Sequence, residues 1–75
     1  MVSCKILGSR LRTYRQLAQW TQAQVADQLG VTRSAVAQWE NGLVWPTVPM
    51  LEKISTLFHV PIPTLLENLE ELPSE

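Results

Sequence analysis

TQAQVADQLGVTRSAVAQWENG, residues 21–42, decides the fold. Thr21 stands where a hydroxyl accepts a bond from a free first-turn amide. Gln24, three residues on, completes the pattern of a capping box. Val25, Ala26 and Leu29 then recur at helical spacing, and Gly30 is the residue best suited to a left-handed helix end. Two residues later Thr32 repeats the cap, and Gly42 closes the second segment. The stretch therefore reads as two short helices with almost no chain between them, Val31 being left to plug the corner.

With about 3.6 residues per turn, the second of these helices divides into two faces. Ala35, Val36, Trp39, Glu40 and Leu43 share one arc, predicted to face the core. Arg33, Ser34, Ala37, Gln38 and Asn41 fill the opposite arc, predicted to face solvent. Glu40 is a carboxylate at the margin of the apolar arc, and burial there demands a partner.

Outward from this pair the pattern stays helical. Leu7, Leu11, Tyr14 and Ala18 form the stripe of a first helix. A fourth starts near Thr47, tolerates Pro49 in its first turn, and turns Met50, Leu51, Ile54, Leu57 and Phe58 inward. After HVPIP a fifth presents Leu65, Leu66, Leu69 and Leu72, and the tail ELPSE is expected to fray. Strand-like alternation, repeats and low-complexity tracts are absent. The expectation is one all-α domain over residues 1–75, with five helices at 5–18, 22–29, 33–41, 48–58 and 62–71.

Composition narrows the class. With 45% hydrophobic and 17% charged residues among 75, the chain is globular rather than disordered. Cys4 is its only cysteine, which excludes an internal disulfide and a cysteine zinc site, and suits a reducing cytoplasm. No apolar run approaches the roughly 18 residues of a membrane span. One histidine, one cysteine and no cleft-forming carboxylate pair leave nothing from which to build catalysis, a metal site or a cofactor site, so no enzyme is expected. His59 reads as a loop residue, and Ser34 has no base to make it a nucleophile.

The net charge of −1 argues against a nucleic-acid partner until the charges are located. Lys5, Arg10, Arg12, Arg15 and Arg33 face only Asp27 and Glu40 in the first 41 residues. Lys53 faces Glu52, Glu67, Glu70, Glu71 and Glu75 in the remainder. The molecule is polarised, and one end is suited to phosphates.

Two helices joined by a tight glycine-marked turn are the sequence form of a helix-turn-helix. From Leu7 to Leu66 the chain resembles the Xre/Cro class of phage-repressor-type helix-turn-helix domains. LGSRLRTYR is similar to that family's first helix and TQAQVADQLGV to its second. TRSAVAQWENG, with WP following, is similar to its recognition helix and exit, and VPMLEKISTLFHVPIPTLL to its last two helices. The resemblance implies a compact lambda-repressor-like DNA-binding domain that acts in the cytoplasm of a bacterium or on behalf of a phage. It implies a regulator, read as a repressor, that holds a double-stranded operator as a homodimer.

By position, Arg33, Ser34, Ala37 and Gln38 match the family's base-reading residues. Arginine offers a planar fork to guanine O6 and N7, glutamine pairs with adenine N6 and N7, and alanine touches a thymine methyl. Gln22, Thr32, Asn41 and Arg10 are the residues expected on phosphates, which fix register without reading sequence. The resemblance also pairs Arg15 with Glu40 as a structural ion pair.

Two departures stand out. Leu43, Val44 and Trp45 occupy positions where the family supplies a cation before the proline, and Pro61 replaces a capping serine or threonine. A single copy should therefore bind weakly. Ile62, Leu65, Leu69 and Trp45 are the residues expected at a homodimer interface. The rival reading is a protein-interaction module, or an antitoxin-type partner-binding domain, that keeps the fold and engages a protein through Leu43–Trp45.

Overall fold

The computed structural model describes residues 3–67. Hydroxyls open four of the helices. Ser3 accepts from the Ile6 amide at the start of α1 (Cys4–Leu17), and Thr21 accepts from Gln24 at the start of α2 (Gln22–Leu29). Thr32 accepts from Ala35 before α3 (Arg33–Glu40), and Thr47 from Met50 before α4 (Val48–Phe58). α5 (Ile62–Leu66) has no side-chain cap, as Pro61 in that position foretold.

The five helices enclose one apolar core. Leu7 and Leu11 of α1, Val25, Ala26 and Leu29 of α2, Val36 and Trp39 of α3, Leu51 and Ile54 of α4, and Leu65 of α5 are all buried. Trp20 meets Phe58 edge-on, ring centroids 6.4 Å apart, and closes the end of the core beside the α1–α2 turn. Burying each large apolar side chain contributes about 1.5–3 kcal/mol, so α3 is anchored mainly through Val36 and Trp39.

α1 crosses directly over the C-terminal end of α3. A Cβ at Gly8 would overlap the backbone oxygens of Trp39 and Glu40, and one at Gly42 would overlap Lys5. Glycine at these two places lets backbone meet backbone, and that closeness brings Arg12 and Arg15 of α1 over the end of α3.

Several sequence expectations are corrected. Ala18 is exposed, because α1 stops at Leu17 and Gln19 turns into the left-handed region at φ 60°. Leu43 is 72% exposed, because α3 ends at Glu40 and the helical period no longer places side chains beyond Gly42. α5 ends at Leu66, where Glu67 becomes extended with ψ 143°. Leu65 is 0% exposed, wholly inside its own chain's core, and is therefore unavailable to a dimer partner. Leu69 and Leu72 lie outside the described residues.

Candidate nucleic-acid interface

α3 is short, so its outer face is defined by how firmly its inner face is held. Val36 and Trp39 are buried; Arg33, Ser34 and Gln38 are exposed on the other side, with Ala37 half-buried between them. Thr32, exposed, uses its hydroxyl oxygen to accept the Ala35 amide at 3.1 Å, leaving its O–H free to donate. The outer face thus presents a guanidinium, a hydroxyl and a carboxamide from one rigid rod.

Behind that face lies a polar knot around Glu40, which is 6% exposed in otherwise apolar surroundings. Arg15 donates to it through two nitrogens, Nε to Oε2 at 2.6 Å and Nη2 to Oε1 at 3.1 Å. The third Arg15 nitrogen, Nη1, donates to the Trp20 carbonyl at 2.8 Å and ties the α1–α2 turn to the same guanidinium. Gln22 Nε2 adds a bond to Oε1 at 3.1 Å, and Arg12 Nε one at 3.4 Å. Burial drives the carboxyl upward in pKa, but bonds from Arg15, Gln22 and Arg12 and the charge of Arg15 outweigh it. The group is held below its ordinary value and stays ionised. Arg15 is raised by the same bond to Glu40, against the opposing effect of burial.

The knot reaches the surface at two points. Arg12 Nη2 donates to Asn41 Oδ1 at 3.1 Å, which occupies the acceptor end of that amide. Arg33 Nη1 donates to Gln22 Oε1 at 3.3 Å. Asn41 is exposed and caps the end of α3, whereas Gln22 is half-buried at the start of α2. Among the residues expected on phosphates, Gln22, Thr32 and Asn41 therefore flank α3.

Arg10 does not join them. Its Nη1 donates to the Leu65 carbonyl at 2.9 Å, where it satisfies a terminal acceptor of α5 on another side of α1. Arg12 takes its place beside Asn41. The sequence contained a signal for this. Arg12 and Arg15 are three apart and share a face, while Gly8, a helix-weakening residue in mid-helix, marks where α1 touches another backbone. Of the residues expected between copies, Ile62 is half-buried and Trp45 is 41% exposed.

This geometry defines a class: a helix-turn-helix domain whose second helix offers a compact donor-rich face, flanked by amides and cations. The helix-turn-helix family model matches residues 11–65. The chain belongs to that family, in its Xre/Cro form.

Among relatives, it is 43% identical over 61 residues to the HTH-type transcriptional activator BcrR of Enterococcus faecalis, covering 81% of this chain and 28% of that one. It is 30% identical over 67 residues to the HTH-type transcriptional regulator SinR of Bacillus subtilis, covering 88% of this chain and 60% of the relative. The chain thus spans 28% and 60% of these two curated relatives. Among solved structures, the P22 c2 repressor protein in complex with synthetic operator 9T superposes with a TM-score of 0.78 at 28% identity. That match covers 81% of this chain and 92% of the repressor chain.

Proposed function

We propose that this chain is a sequence-specific DNA-binding module of a transcriptional regulator, non-enzymatic, acting in the cytoplasm on a double-stranded operator. One observation carries the reading: Arg33, Ser34 and Gln38 stand exposed on one face of a helix that Val36, Trp39 and Glu40 brace from behind. In a major groove, Arg33 would address guanine and Gln38 adenine, Ala37 would lie against a thymine methyl, and Ser34 would take either donor or acceptor. Thr32, Asn41 and Arg12 would meet the phosphates on either side. The names of the relatives and the operator bound to the P22 repressor support this reading.

Two copies on adjacent half-sites would supply the affinity that one small face lacks. Ile62 and Leu66, one turn apart on α5, and Trp45 provide apolar surface for that pairing.

Selection from random duplexes followed by a mobility shift tests the proposal. A preferred sequence is expected, and Arg33→Ala should abolish preference at one base pair, worth about 1–3 kcal/mol. Enrichment of no duplex at low salt would refute it. The exposed run Leu43, Val44, Trp45 and Val48 favours the second reading, a protein-interaction or antitoxin-type module. That reading prevails if DNA selection fails and a variant with Leu43 and Val44 changed to serine loses a protein partner that the parent retains.

A further inference from the structure

We infer that the side of α1 turned away from α3 is a docking groove for an extended, acidic, proline-bearing segment of a partner protein. This goes beyond DNA binding and does not rest on it.

The groove follows one helix face. Ile6, Ser9, Arg10, Thr13, Tyr14 and Leu17 recur at three and four along α1 and share a stripe. At 3.6 residues per turn Arg12 stands about 200° from Arg10, so the stripe lies across the helix from the Glu40 knot. Two hollows run along it. Ile6, Ser9, Arg10, Thr13 and Tyr14 line one, of about 310 Å³. Tyr14, Leu17, Trp20, Leu57, Phe58 and His59 line the other, of about 370 Å³. Tyr14 belongs to both, so they meet at its ring and make one trough.

The two ends differ in chemistry, and together they describe the occupant. At the first end Arg10 is half-buried and pinned, its Nη1 donating to the Leu65 carbonyl at 2.9 Å. Its charge has no carboxylate partner among the described residues, where the ion pairs are those of Glu40. Neither α1 nor the chain from Lys53 to Leu66 contains an acidic residue, so the walls of the groove supply none. A fixed guanidinium with free N–H groups, beside the hydroxyls of Ser9 and Thr13, is complementary to a carboxylate. At the second end stand Tyr14, Trp20 and Phe58, three of the five aromatic residues in the chain. An aromatic-lined groove suits a polyproline II segment, which is extended before it binds and loses little entropy on docking.

Shape selects a peptide over a small molecule. Ser9 and Thr13 are exposed and Leu17 is 75% exposed, so the trough is open along its length. A small ligand requires about 70–90% of its surface to be enclosed. From Ile6 to Leu17 the helix rises roughly 17 Å. That length accommodates about five residues of a polyproline II strand.

Selection from a random peptide library displayed on phage, against the full chain, tests the inference without DNA. Leu17→Ser serves as the counter-selection, since a side chain so exposed is not needed by the fold. Enriched peptides should carry aspartate or glutamate beside proline. In nuclear magnetic resonance, a selected peptide should move the Tyr14 ring and Trp20 indole signals and leave Trp45 in place. Leu17→Ser and Arg10→Gln, the latter retaining a donor for the Leu65 carbonyl, should each weaken that peptide about tenfold. Arg10→Gln should also remove most of the salt dependence of its binding. Enrichment of no peptide, enrichment of neutral or basic ones, or signals that move at Trp45 instead of Trp20 would overturn the inference. So would Tyr14 and Trp20 signals that shift with protein concentration alone, which would give the groove to a second copy. Binding that requires Glu70 and Glu71 to be changed to glutamine would give it to this chain's own acidic end, and a partner would again be refuted. Failure to select a DNA duplex refutes only the DNA-binding reading and leaves each of these outcomes unaltered.

Discussion

Glu40 illustrates how one residue joins stability to the proposed DNA-facing surface. Its two oxygens receive four side-chain bonds, from Arg15 twice, Arg12 and Gln22, so the carboxylate is buried without an unsatisfied atom. Removing Arg15 would leave the charge to Gln22 and to Arg12, whose side chain is 46% exposed and whose contact is long. Exposed pairs contribute little, so Arg15→Met should cost about 3 kcal/mol, near the lower figure for breaking a buried pair. The shift in urea midpoint at constant slope measures this. The pH dependence has a definite sign. Because the folded pKa is held below the usual 4.5, the contribution of Glu40 is complete above that value and is lost as pH falls through the folded one. Glu40→Gln should therefore flatten the acid limb of stability against pH, and an unchanged acid limb would show that other carboxylates govern it. The need for a partner was legible in the sequence, since a carboxylate stood in an apolar arc. The identity of two of its partners was not. Arg12 and Gln22 reach Glu40 only because α1 and α2 converge on the end of α3, a long-range arrangement that no local spacing encodes.

At the scale of the element, four helices end by one device. Gln19, Gly30, Gly42 and His59 each take positive φ, between 56° and 72°. In each case the next residue's amide reaches back to a carbonyl five positions earlier: Trp20 to Arg15, Val31 to Ala26, Leu43 to Gln38 and Val60 to Ser55. This is the left-handed helix stop that satisfies orphan carbonyls. Where glycine fills the position, the stop could be read from the sequence, and at His59 the prolines that follow placed it; at Gln19 it could not. That difference explains why the first helix was expected to run on through Ala18. It also yields a prediction. His59 carries the penalty of a side chain in the left-handed region, whereas glycine would not. His59→Gly should stabilise the fold by about 0.5–1 kcal/mol, seen as a melting temperature higher by about 2–8 °C. Gly8→Ala should act in the opposite direction, losing about 1–3 kcal/mol, because its Cβ meets carbonyl groups that cannot rotate aside. Gly30→Ala meets nothing within 4 Å and carries only the left-handed penalty, so it should be milder than Gly42→Ala, where Lys5 also obstructs. A melting series over these four variants orders them.

Over the whole molecule, charge is distributed more economically than the sequence halves suggest. The first 41 residues hold five cations, yet Arg10 is bound to α5 and Arg15 is neutralised by Glu40. Around the proposed interface this leaves Arg12 and Arg33 as the cations best placed to meet phosphates or bases, with no basic residue between Asn41 and Thr47. The helix-turn-helix and its outward face were readable because caps, glycines and apolar period are local signals. The distribution of free charge was not, because it depends on which arginines the fold consumes. Affinity for DNA should accordingly have an unusually shallow salt dependence. Counterion release gives a slope of about −0.9 per phosphate neutralised; with Arg12 on a phosphate and Arg33 on a base, that is about −1 for each copy and about −2 for a pair on two half-sites. Titrating the selected duplex across a range of salt concentrations, with copy number fixed by sedimentation, gives that slope directly. A slope of about −4 or steeper for a pair, one further phosphate or more per copy, would mean that Arg10, Lys5 or Lys53 also reaches the backbone, and that the face bounded by Arg12 and Arg33 is only part of the interface. With the shallow slope, base contacts and helix-end amides carry a larger share of the binding. Discrimination between sequences should then persist at salt concentrations where a strongly basic domain has already released its operator.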